Sequence, residues 1–122
     1  MAKNDTYTFD EIYTIEPIEG LSEVKSALKQ VEFTVASVRS RGGHLIKFVH
    51  DGTLGRAQDR VRAEVRRFLR AQKREKRILL IITGEDFSMA DDATRYLADK
   101  CPRVELDPDL DRRNSDITIV CL

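Results

Sequence analysis

Two short apolar runs constrain this chain more than any other feature. Leu45-Ile46-Lys47-Phe48-Val49 and Ile78 to Thr83 each have the length and composition of a buried strand, and a long helix-forming segment lies between them. A strand–helix–strand unit commits the chain to an α/β arrangement, because the strands need a sheet and the helix needs a face to cover. The helix spans about Leu54 to Gln72. Ala57, Val61, Val65, Phe68, Leu69 and Gln72 share its inner face at helical spacing.

The remaining elements extend this unit. Tyr13 to Ile18 alternates weakly and predicts a first strand, closed by Gly20. Ser22 is the expected N-cap of a helix running to about Arg41, with Val24, Leu28, Val31, Val35 and Val38 as its inner stripe and Gly42-Gly43 as its stop. Ser88-Met89-Ala90-Asp91 has capping-box form and predicts the start of a third helix through about Lys100. Pro102 and Pro108 mark a loop to Asp116, and Ile117 to Leu122 predicts a closing strand. The order is βαβαβαβ. The expected fold is a two-layer α/β sandwich over residues 12–122, with a four-stranded, mostly parallel or mixed sheet, preceded by a flexible arm over residues 1–11.

The longest apolar run, Ile78 to Ile82, is far short of the ~20 residues of a membrane span. The start of the chain lacks the apolar stretch of a secretion signal. Cys101 and Cys121 stand far apart, outside any Cys-x-x-Cys spacing, and read as core or near-core thiols; a reducing cytoplasm is the expected compartment, with no membrane partner.

Charge is the informative quantity. The chain carries 21 Lys and Arg against 21 Asp and Glu, a formal net charge of zero. The balance is uneven along the chain: residues 56–77 hold ten basic and three acidic side chains, whereas residues 85–122 hold five basic and ten acidic. Such a polarised surface steers anions. On a helical wheel Arg60, Arg67, Arg70 and Arg74 lie within about 40° of Arg56, opposite the apolar face. Arg62, Arg66 and Lys73 lie roughly 80–120° away from that line. A row of arginines can track a phosphate backbone, and each guanidinium can grip phosphate with two parallel hydrogen bonds.

The turn His50-Asp51-Gly52-Thr53-Leu54-Gly55 feeds this helix. Unpaired N–H groups and the helix dipole favour a phosphate there, with Gly52 and Gly55 allowing close approach and Thr53 able to cap or to bind. No Walker loop and no Gly-x-Gly-x-x-Gly is present. His50, at the strand end beside the turn, is the candidate for general acid–base chemistry. Asp107-x-Asp109-x-Asp111 begins like a calcium loop, but Arg112 and Thr118 stand where glycine and glutamate are required, so no metal site is expected.

The strand Ile46 to His50, the glycine turn, and the helix Arg60-Val61-Arg62-Ala63-Glu64-Val65-Arg66-Arg67-Phe68-Leu69 together resemble the core of Smr (small MutS-related) domains. The ending Asp116-Ile117-Thr118-Ile119-Val120-Cys121-Leu122 is similar to their closing strand. Gly84 to Ser88, Asp107 to Leu110, and Arg113-Asn114 resemble a bacterial subgroup with a longer third segment. The resemblance implies a fold like the C-terminal domain of translation initiation factor three, and binding or nicking of DNA or RNA. Two positions depart from the pattern. Ile15 to Gly20 lacks the histidine and aspartate of the first-strand motif, and His-Gly-x-Gly is replaced by His50-Asp51-Gly52-Thr53.

Three functions follow as expectations. The first is a nucleic-acid-binding domain that contacts DNA or RNA phosphates through Gly52, Thr53, Gly55, Arg56, Arg60, Arg67, Arg70 and Arg74, without a cofactor. The second is a nicking endonuclease using His50, either independent of metal or assisted by a divalent metal. The third is an adaptor for an acidic or ribosomal partner.

Overall fold

The computed structural model describes residues 9–16, 20, 22–50 and 56–122. Its elements are β1 (Glu11–Ile15), α1 (Glu23–Ser40), β2 (Leu45–His50), α2 (Arg56–Arg74), β3 (Leu80–Thr83), α3 (Asp92–Lys100) and β4 (Ile117–Cys121), with 3-10 turns at Gly84–Asp86 and Pro102–Leu106. The strands form one mixed sheet in the order β1-β2-β4-β3. β1 and β2 are parallel, and β4 is antiparallel to both β2 and β3. The α/β class and the βαβαβαβ order are those the alternation predicted.

Pleating sends successive strand residues to two cores. Ile15, Ile46, Phe48 and Val120 pack with Val31, Val35 and Val38 of α1 and with Val61, Val65 and Leu69 of α2. On the other face Leu45, Ile82, Ile117 and Ile119 pack with Leu97 of α3 and with Val104. That second cover stops short of β1, where Ile12 stays 55% exposed. No described helix is long and apolar enough to cross a membrane.

The caps explain where the helices begin and end. The Ser22 hydroxyl accepts from the Lys25 N–H and starts α1 at Glu23. Gly42, at φ +77°, takes the left-handed turn that ends it. Elsewhere the boundaries differ from expectation. The third helix begins at Asp92, because Asp91 rather than Ser88 accepts from the Thr94 N–H; the Ser88 hydroxyl accepts from the Ala90 N–H in the preceding turn. β3 begins at Leu80 rather than Ile78.

The first strand is Glu11–Ile15, not Tyr13 to Ile18, and residues 17–19 lie outside the described residues. Of the expected arm, residues 9–11 are held in the fold, and residues 1–8 lie outside the described residues. Phe9 is buried, and the Asp10 carboxylate accepts from the His44 and Leu45 N–H groups, which fixes the strand entry. At Gly84 a Cβ would come within 1.6 Å of the Asn114 carbonyl oxygen. Only a glycine lets the chain leave β3 along this path and bring Glu85 beside α2.

Candidate nucleic-acid interface

α2 lies over the sheet through Val61, Val65 and Leu69, so its opposite side faces solvent. Arg60, Arg67, Arg70 and Arg74 are all exposed along that side. From Arg60 to Arg74 the row spans about 21 Å at the helical rise. Arg67 has one weak partner, Glu64, at 3.5 Å, and its side chain is still 78% exposed. Among the described residues Arg60, Arg70 and Arg74 form no ion pair. A row of guanidiniums without counter-charges keeps its field available to a ligand. Arg56 opens α2, but its side chain, like Gly52, Thr53 and Gly55, lies outside the described residues.

The arginines off this line behave differently. Arg66 is buried, and its guanidinium is fully engaged. Nε donates to Thr118 Oγ1 at 3.0 Å, and Nη2 donates to the Ile117 and Ser115 carbonyls at 2.9 and 3.2 Å. Nη1 and Nη2 together grip the Glu85 carboxylate at 3.2 and 3.0 Å. Burial pushes the Glu85 carboxyl up, but the hydrogen bonds and charge of Arg66, with the charge of Arg62, outweigh it and hold its pKa below the ordinary value. Arg62 pairs with Asp59 at 2.9 Å and reaches Asp116 at 3.7 Å. Glu85 thus neutralises Arg66, and Asp59 with Asp116 neutralises Arg62, whereas Lys73, also off the outer line, is exposed with no ion pair among the described residues. The wheel separates Arg62 and Arg66 from the outer row, but no local pattern signals what Arg66 binds, because its partners are 19 to 52 residues away.

His50 sits inside this network and is 2% exposed. Its Nε2 lies 2.8 Å from Thr118 Oγ1, the atom that also accepts from Arg66. Its Nδ1 is buried with no hydrogen-bond partner among the described residues. Burial, then the charges of Arg66 and Arg62, lower its pKa from 6.5 to about 4, against a smaller opposing pull from Glu85. The imidazole is neutral at pH 7.

A stability effect follows from that shift. A histidine whose folded pKa is depressed stabilises the fold fully above its unfolded pKa, and that stability is lost as pH falls from about 6.5 toward about 4. At about 1.4 kcal/mol per unit, roughly 2–3 kcal/mol is lost between pH 7 and pH 4.5. Urea unfolding at those two pH values should show this loss in the native chain and a much smaller one in His50→Gln. Equal losses in both would remove His50 from the account. Glu85 and Asp109, both depressed, add their losses only at lower pH.

No group of three or more His, Cys, Asp or Glu side chains among the described residues is arranged to hold a metal ion. Asp107 and Asp109 instead flank the Lys47 ammonium, which lies 2.8 and 2.9 Å from the two Asp107 oxygens and 2.6 Å from Asp109 Oδ2. Two carboxylates of the Asp107-x-Asp109-x-Asp111 run thus serve a buried lysine. Comparison with family models, with curated proteins and with solved structures gives no match.

Proposed function

We propose that this chain is a cytoplasmic, Smr-like nucleic-acid-binding domain that holds DNA or RNA phosphates on the outer face of α2. One observation carries the proposal: Arg60, Arg67, Arg70 and Arg74 stay exposed along one face, while Arg62 and Arg66 beside them are neutralised by the fold. A solvated helix in a chain rich in carboxylates would be expected to share its counter-charges more evenly. Gly52, Thr53 and Gly55, directly before Arg56 in the sequence, remain part of the proposed contact set.

Binding is favoured over cutting. The one histidine at this end of the sheet is enclosed, neutral and bonded to Thr118, which suits a structural role better than proton transfer to a substrate. The test is a titration of labelled duplex DNA, single-stranded DNA and RNA at two salt concentrations. Affinity should be micromolar or better at low salt and should drop by at least tenfold on raising salt from 50 to 200 mM. Absence of binding at low salt, or binding indifferent to salt, would reject the function. Supercoiled plasmid incubated alongside, with and without divalent ions, should remain unnicked.

A further inference from the structure

α1 and α2 meet over a crevice of about 210 Å³. This is smaller than the ~300–1,000 Å³ of pockets for drug-sized ligands, and it offers room for a single flat ring system. Val35, Phe68 and Ile78 give it apolar walls, and Gln72 and Glu32 supply hydrogen-bonding edges; at its rim Arg39 donates to the Arg77 carbonyl, and Arg77 pairs with Glu75 at 3.7 Å. Arg77 and Ile78 also line a neighbouring hollow with Lys73, Lys76, Leu79 and Leu122, so the groove continues around the end of α2. Cations outnumber acids along it, and its apolar floor does not suit a bare phosphate.

Phe33 adds a second, independent observation. It projects from α1 at 74% exposure, one helical turn before Ala36, which lines the crevice. No other aromatic ring contacts it among the described residues. It is exposed on α1, at the edge of the groove that Ala36 lines, and α1 is the helix that packs beside the arginine-bearing α2. A flat apolar face next to a phosphate-binding track is the arrangement used to stack bases of an unpaired strand.

We propose that the α1/α2 groove receives unpaired bases of single-stranded DNA or RNA, stacked on Phe33 and entering the crevice lined by Phe68, while the arginine row holds the flanking phosphates. This rests on the function proposed above and names its substrate class. Paired bases cannot present their faces in this way. Duplex carries the higher charge density, about one charge per 1.7 Å of axis, so a purely electrostatic surface favours duplex. A stacking surface reverses that order.

The experiment titrates the full chain with a fluorescent 15-nucleotide oligothymidylate and with a blunt duplex of equal length, by anisotropy, for the native chain, Phe33→Ala and Phe33→Trp. Phe33 is exposed, so both variants are expected to fold. The native chain should bind the single strand at least as tightly as the duplex. Phe33→Ala should lose about five- to tenfold on the single strand, with duplex affinity unchanged, and Phe33→Trp should retain the native value. Duplex preferred and Phe33→Ala without effect would overturn the inference and leave phosphate binding standing. No binding to either probe would overturn both.

Discussion

Lys47→Ala is expected to destabilise the fold by about 3–5 kcal/mol, a large share of the ~5–15 kcal/mol that holds a domain of this size. Lys47 sits mid-strand in β2, and its side chain is only 6% exposed. Its ammonium is shared between Asp107, equally buried, and Asp109, and it lies 4.9 Å from the centroid of the Phe9 ring. Burial pushes the Asp109 carboxyl up, but the hydrogen bonds from Lys47 and Asn114 and nearby positive charge win and keep it ionised. Removing the cation leaves the buried Asp107 carboxylate without its counter-charge, with the Asp109 N–H as its remaining described donor. The penalty comes from what is left behind rather than from the strength of the pair. The combination of Lys47→Met with Asp107→Asn and Asp109→Asn should therefore recover much of the loss. Urea unfolding at pH 7 measures all of this, and a Lys47→Ala cost below about 1 kcal/mol would show that the cluster is solvated.

The second large effect concerns the outer face of α2. Reversing Arg60, Arg67 and Arg70 to glutamate should weaken nucleic-acid binding on the order of 100-fold at low salt. Three exposed phosphate contacts at roughly 1 kcal/mol each set that scale, and the new negative charges add repulsion. Folding should be little affected, because the three side chains are exposed and only Arg67 has a described ion-pair partner, itself weak. A control is needed, since the triple change also makes the whole chain acidic. Lys100→Glu, Arg112→Glu and Arg113→Glu alter the net charge equally, on exposed residues outside α2. That control should lose far less affinity.

The parts of the fold that depend on neighbours in sequence were legible before the structure. Helical periodicity gave the inner faces of α1 and α2, Ser22 and Gly42 gave the ends of α1, and the apolar runs gave β2 and the centre of β3. The arginine row was equally local, being a matter of spacing along one helix. What escaped was set by distant partners. Asp91 displaced Ser88 as the cap because its carboxylate reaches the Thr94 N–H, a competition that pattern alone does not decide. Phe9 and Asp10, read as part of a loose arm, are held by Lys47 and by the backbone of residues 44 and 45.

Lys47 itself carried an unused signal. A lysine within a strand of buried type requires a counter-charge, and the triple-aspartate loop was the richest source. Its identification needed a contact spanning 60 residues. His50 was read as a candidate base from its place at a strand end. Burial and the two arginines beside it, which make it neutral and structural, are properties of the assembled sheet. Lys47 and Arg66 also act together, gripping the 107–117 segment from opposite faces of the sheet.

The salt dependence of binding tests the central claim most directly, because it counts phosphate contacts rather than inferring them. Plotted as log affinity against log salt on duplex DNA, four exposed arginines predict a slope of about −3 to −4 for the native chain. The Arg60, Arg67 and Arg70 triple variant should show a slope near −1 or shallower, with the Lys100, Arg112 and Arg113 control close to native. Equal slopes for the native chain and the α2 variant would contradict the account, since the contacts would then lie elsewhere.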